Sequence, residues 1–287
     1  MTRVDTSDMG RPGDTPDDDL PALRNELAAT RVLALDAQRR VAALEERLQS
    51  AGAGPARSPV FPTLYPDFQD RFRGSEAEIR RRLQVYLPDA HRLVGTGGIV
   101  DVGPGRCEWL SLLEEAGLPA YGIDTNPAFV EAGRARGVDV RVGDALAHLN
   151  AVPAGSVDLV TAFHVIEHLD IEELIGLIDA AGRALRVGGG LLLETPNPTN
   201  LVMGACDFYC DPTHLAPLPP ELPQYLMSAR GFEAVEVRHL HPKPAPFTVD
   251  DLATYLPPAL AEMLMWRLFG PQDYALLGYR RGGQPSA

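Results

Sequence analysis

The order of apolar and polar residues divides this chain into a short stretch with one period and a longer remainder with two. Leu20, Leu23, Leu27, Thr30, Ala34, Ala37, Val41, Leu44 and Leu48 are separated alternately by three and four residues. That spacing predicts a coiled-coil helix over residues 20–50, about four heptads long. The seam either pairs with a second copy or a partner protein, or docks as a lone amphipathic helix on the rest of the chain. Residues 1–19 are polar and end in acids, which predicts a disordered tail, and the Ala/Gly/Pro-rich residues 51–62 read as a linker.

From residue 63 to 287, apolar runs of strand length alternate with helical patterns, as in a single α/β domain. Strands are expected at Ile99–Val102, before Asp124, at Val138–Val142, Val157–Phe163, Gly188–Glu194, Glu233–Leu240 and Tyr274–Tyr279. Ser75-x-x-Glu78 reads as a capping box that opens a helix running to about Leu87, with Pro88 stopping it. Pro220–Arg230 is expected to be helical and closed by Gly231, and Asp250–Phe269 helical with a break at Pro257-Pro258. Residues 198–220, rich in proline and aromatics, read as a cover over the strand ends.

Chemistry enters at Asp101-Val-Gly103-Pro-Gly105, where the first strand meets a glycine turn, and at Asp124, where the second strand ends. This spacing describes one β-turn-α-β unit, whose glycines let the backbone close on a ligand and whose second acid can grip a ribose diol. The third glycine of a pyrophosphate-binding loop is replaced by Glu108. With Asp101 close by, the loop suits a cationic adenosine cofactor such as S-adenosylmethionine better than a dinucleotide. Further along, Asp144 closes the third strand, where it can accept a hydrogen bond from an adenine amine. His164 follows the fourth strand and Asn197 the fifth. Ligands bind at these carboxyl ends in open α/β sheets.

On Asp101-Val-Gly-Pro-Gly105, Asp124, Gly143-Asp144-Ala145, Phe163–Leu169 and Leu193-Glu-Thr-Pro-Asn197, the chain resembles the class I S-adenosylmethionine-dependent methyltransferases. The resemblance runs from about Phe68 to Arg281. It implies a Rossmann-like seven-stranded α/β sheet whose last strand is inserted antiparallel. It also implies S-adenosylmethionine held by Asp101, Gly103, Gly105, Asp124, Thr125, Asp144, Ala145 and His164. More narrowly, Arg71–Ser75, Glu194–Pro198 and Phe208–His214 are similar to methyltransferases of bacterial surface-polysaccharide and other glycan clusters. In that group the loop reads Gly-Cys-Gly-Arg-Gly, whereas here Pro104 and Cys107 take the second and fifth places. A degenerate, non-catalytic cofactor fold acting in assembly through the coiled coil is therefore a rival.

Methyl transfer to an alcohol needs a group that takes the hydroxyl proton, or a metal that lowers its pKa. His164, Glu167 and His168 stand at i, i+3 and i+4, so a helical turn would point all three one way, and His214 lies in the covering segment. Three readings are open. The four residues hold a divalent cation such as Mg2+, in a layout similar to that of small-RNA 2′-O-methyltransferases; or His214, His168 and Glu167 act directly as bases; or the histidines are structural. Both functional readings point to a sugar-like hydroxyl, in a glycan or a small glycosylated metabolite. Transfer to nitrogen or carbon of a small metabolite is the enzymatic alternative.

The remaining candidates are weaker. Cys206, Cys210 and His214 are spaced by four, but Asp211-Pro212 would break a helix that put them on one face. Phe208 and Tyr209 either stack on a sugar or plug the cover onto the core, and Trp109 reads as core. Arg71, Arg73, Arg80, Arg81 and Arg82 are either solvated charge or a reach toward a cofactor carboxylate or an anionic acceptor. The formal charge of −13 argues against nucleic acid and anionic membranes as partners. Three cysteines and the lack of a bilayer-length apolar run predict a cytoplasmic protein.

Overall fold

The computed structural model describes residues 73–282, so the acidic tail, the heptads, the linker and Arg71 lie outside the described residues. Within them, strands β1 (Ile99–Val102), β2 (Ala120–Asp124), β3 (Val140–Val142), β4 (Val157–Phe163), β5 (Leu185–Pro196), β6 (Phe232–Pro242) and β7 (Pro271–Arg280) form one sheet. Its order is β3-β2-β1-β4-β5-β7-β6. Strands β1 to β5 run parallel, and β7 is antiparallel to both β5 and β6. This is the expected arrangement, with the last strand inserted between the fifth and the sixth.

Strand alternation separates two cores. Val100, Val102, Val160, Ala162, Leu191 and Leu193 face one side, where they meet helices α5 (Ala145–Ala151), α6 (Ile171–Ala184) and α8 (Glu221–Ala229). Ile99, Leu159, Leu192, Ala275 and Leu277 face the other, against α1 (Glu76–Leu83), α2 (Leu87–Leu93), α3 (Glu108–Glu115) and α4 (Pro127–Ala135). Every residue of β4 is buried. At roughly 1.5–3 kcal/mol per fully buried large apolar side chain, the central strands anchor the sheet.

Four local readings need correction. Ser75 Oγ accepts from the Glu78 N–H at 3.3 Å, but the Glu78 carboxylate pairs with Arg81 and Arg82. Pro88 does not stop the helix. After a 3-10 turn at Gln84–Tyr86, it occupies the first turn of α2, where its missing N–H costs nothing. Val138 precedes β3, and β5 begins earlier than its apolar run suggested.

The cover begins at β5's end. Asn197 pins it there, donating from Nδ2 to Pro271 O at 3.0 Å, while its N–H reaches Gln272 O at 2.8 Å. Helix α7 (Leu201–Ala205), capped by Asn200, leads into a 3-10 turn at Asp207–Cys210. Phe208 is buried and plugs this segment onto the core, whereas Tyr209 is exposed. No helix among the described residues is long and apolar enough to cross a membrane.

Candidate functional site

Glycines at +63° (Gly103) and +52° (Gly105) turn the chain from β1 into α3. A Cβ at Gly103 would lie 2.8 Å from Val165 Cγ2, so the loop needs glycine for close approach as well as for its backbone angle. Cys107 also adopts a left-handed φ of 65°, the conformation a glycine takes most easily, just before α3 begins. Its buried thiol packs against Gly133, and burial pushes its pKa up to about 12. Pro104 and Cys107 thus leave the glycine turn intact.

Around this turn the side chains are acidic and buried. Asp101 accepts from Thr161 Oγ1 at 2.6 Å, as expected from their register pairing. Burial pushes its carboxyl up to about 7 against that hydrogen bond. Asp124 accepts from the Gly105 N–H at 3.0 Å and the Asn126 N–H at 2.8 Å. Burial raises its pKa despite both donors. Glu108 is buried at the start of α3 and pairs with Arg106 at 2.7 Å. Three buried acids make a poor seat for pyrophosphate and a good one for a cationic ligand.

Asp144 is exposed and accepts from the Ala147 N–H at 2.7 Å, so it caps α5. Thr125 is exposed and Ala145 partly buried. Arg73 has a buried Nε without a hydrogen-bond partner, and its charge favours ionised Asp101. Arg80 and Arg81 pair with Glu115 and Glu78, while Arg82 also reaches buried Asp273 at 3.7 Å.

The second half of the site lies where β4, β5, β6 and β7 meet. Because β7 runs antiparallel, its first residues stand beside the carboxyl ends of its neighbours. Asp273 pairs in register with Pro196 and Leu240. Tyr86 donates to Glu194 from the core on the Leu192 face, held there by edge and tilted contacts with Trp109 and Phe163. His241, at the end of β6, stands 3.6 Å from Glu194.

His164 does not share a helical turn with Glu167 and His168. It takes φ +55° after β4, and only Ile166–His168 form a 3-10 turn. Its Nδ1 stands 3.2 Å from Glu167, and its Nε2 stands 3.3 Å from Glu194 and 3.8 Å from Asp273. Burial opposes its charge, but Glu167, Glu194 and Asp273 overcome this and push it up to about 10. Glu167 is buried against its charge too, yet His164, His168 and His214 hold it down at about 2. The same balance, with His164 and His241, holds Glu194 well below the usual range. Asp273 is raised to about 6 by burial, aided by Glu194 and opposed by His164.

The expected four-residue cation set is therefore divided. Donor atoms of Glu167, His168 and His214 lie within 4.8 Å of one another, and His164 groups instead with Glu194 and Asp273. In the first group, both imidazoles are held at Nδ1. His214 Nδ1 donates to Phe208 O at 2.6 Å, and His168 Nδ1 lies 2.9 Å from Thr213 Oγ1. Burial lowers the His214 pKa, and its Nε2 stands 3.9 Å from Glu167 Oε1, the buried oxygen that also faces His164 Nδ1. Thr195 Oγ1 donates to the other Glu167 oxygen at 2.9 Å. His164, His168, His214, Glu194 and Asp273 all line one cavity of about 400 Å³. Two imidazoles and a carboxylate placed this way can take a proton or ligate a cation.

The sequence reading missed Glu194, Asp273, Tyr86 and His241. Two signals were there to be used: a lone acid closing the apolar run Leu191–Leu193, and Gln272-Asp273 opening an otherwise apolar strand. Cys206 and Cys210 are exposed and join neither donor group.

Residues 71–246 match a family profile described as a methyltransferase domain. The chain belongs to the S-adenosylmethionine-dependent methyltransferases. A protein of this family from Archaeoglobus fulgidus, solved as a crystal structure, is 31% identical, with a TM-score of 0.67 over 75% of this chain and 99% of its own. A probable S-adenosylmethionine-dependent methyltransferase of Mycolicibacterium smegmatis is 35% identical over 156 residues, 54% of this chain. The match spans only 58% of that relative's length. A Thermotoga maritima methyltransferase, 16% identical with a TM-score of 0.52 over 77% of this chain and 98% of its own, shares the fold.

Proposed function

We propose that this protein is an O-methyltransferase that uses S-adenosylmethionine to methylate a hydroxyl of a saccharide or glycosylated metabolite. When bound, S-adenosylmethionine supplies an electrophilic methyl group on a sulfonium. Asp124 would hold the ribose, with Asp144, Thr125 and Ala145 toward the adenine. Asp101, Gly103 and Gly105 would take the methionine end, with Arg73 and His164 alongside. The three buried acids around the glycine turn suit the cationic charge of that ligand.

The observation that carries the oxygen acceptor is the convergence of Glu167, His168 and His214 beside the cavity. A positioned imidazole there takes the acceptor's hydroxyl proton at Nε2 as the methyl arrives, a contribution of about 10²–10⁴ in rate. The same donors would hold a divalent cation, their two imidazoles suiting a transition metal better than Mg2+, and it would supply Lewis acidity toward that hydroxyl. His164, already paired with three carboxylates, is not in this ligand set.

The test is methyl transfer to glycan acceptors, with and without chelator, for the wild type and for His214→Ala and His168→Ala. Each substitution is expected to lower turnover about 10²-fold or more. Loss on chelation assigns a cation, and retention assigns direct base catalysis. Full turnover in both variants would remove the oxygen-acceptor chemistry. The heptads of residues 20–50 are proposed to join two copies or recruit a partner protein, which light scattering with and without them would decide. Three free cysteines support a reducing, cytoplasmic setting.

A further inference from the structure

The covering segment contains a relay that serves neither the core nor the cofactor loop. Thr213 donates its hydroxyl proton to Asp211 Oδ1 at 2.6 Å, and its N–H reaches the same oxygen at 2.8 Å. A threonine hydroxyl has a single proton. With that proton committed to Asp211, Oγ1 can only accept from His168 Nδ1, 2.9 Å away. The ring must then carry its proton on Nδ1. Had Asp211 been apolar, the hydroxyl could rotate and donate to the ring, and the opposite tautomer would be equally well accommodated.

We infer that Asp211 and Thr213 are positioning residues that fix His168 as its Nδ1–H tautomer and keep the Nε2 lone pair for the acceptor site. The value of that lone pair to catalysis rests on the proposed function; the tautomer itself does not. A proton acceptor and a cation ligand both need Nε2 unprotonated, so the relay serves either form of the chemistry. His214 reaches the same state by a different route, through the Phe208 carbonyl. The covering segment thus sets both rings, one through a main-chain oxygen and one through a side-chain pair.

The experiment is ¹⁵N NMR of the full-length protein with labelled histidine, observing the neutral His168 ring, alongside steady-state kinetics. Wild type is expected to show Nδ1–H at His168. Thr213→Val removes the acceptor and should shift the ring toward Nε2–H, with kcat falling about 10–100-fold and the KM for S-adenosylmethionine unchanged. Thr213→Ser and Asp211→Asn keep the acceptors and should retain the wild-type tautomer. Asp211→Ala frees the hydroxyl proton and should shift it. An Nε2–H ring in the wild type overturns the inference, as does a Thr213→Val variant with the wild-type tautomer. Full turnover by His168→Ala would remove only the functional reading, because the ring signals report the relay whether or not methyl transfer is seen.

Discussion

Asp101 keeps its proton at pH values where an exposed aspartate has lost it, because burial disfavours the charged form more than Thr161 favours it. The sign of the linkage follows. Between about pH 4 and the folded value of about 7, the unfolded chain binds fewer protons than the native one, so Asp101 lowers stability as pH rises across that window. Asp101→Asn should remove this decline, leaving the variant more stable than the wild type above pH 7 in denaturant titrations. A cationic ligand beside Asp101 would favour its ionised form. Binding of S-adenosylmethionine near pH 6 is therefore expected to release protons, measurable by calorimetry in two buffers of different ionisation enthalpy. Asp101→Asn should abolish that release. Gly103 makes a complementary case: alanine there meets Val165 at 2.8 Å with φ at +63°, and should cost about 1–3 kcal/mol and loosen the loop.

At the scale of elements, the turn before β1 depends on one carboxylate. Asp158 accepts from the N–H groups of Gly95, Gly97 and Gly98 at 2.8, 2.7 and 2.9 Å and from Arg186 at 2.6 Å. Burial works against its charge, but Arg186 and the three amides prevail and hold its pKa below the ordinary value. Its contribution is present above the unfolded pKa and fades as pH falls through the folded one. Asp158→Ala leaves the amides without a partner and should cost about 3–5 kcal/mol, read from urea midpoints. The strands themselves were legible because each is an apolar run closed by a turn residue, as at Val157–Phe163. Where the chain pairs, the reading was less complete. The family resemblance implied that β7 runs antiparallel, but nothing local to Asp273 says that this carries it to Glu194 and His164. Likewise, the i, i+3, i+4 spacing of His164, Glu167 and His168 implied a shared helical face that the left-handed backbone at His164 prevents.

For the whole molecule, a cofactor fold that still binds its ligand differs measurably from a degenerate one. S-adenosylhomocysteine at a hundred times its dissociation constant should add about 2.7 kcal/mol, a rise in melting temperature of roughly 5–10 °C. A degenerate fold would show no shift. The chain's excess of acids, a net −13, sets the background against which any ligand arrives and favours neutral or cationic ligands over polyanions. The covering segment gives the molecule a second property. Its backbone joins the turn after β4 directly, with the Leu215 N–H on Glu167 O at 2.9 Å, and it brings His214 and Thr213 with it. Any excursion that swings this flap outward would strip the reactive cluster of one imidazole and leave the other free to tautomerise. Admission of a substrate and readiness to act on it would then be a single event, and a gaping molecule would be an idle one.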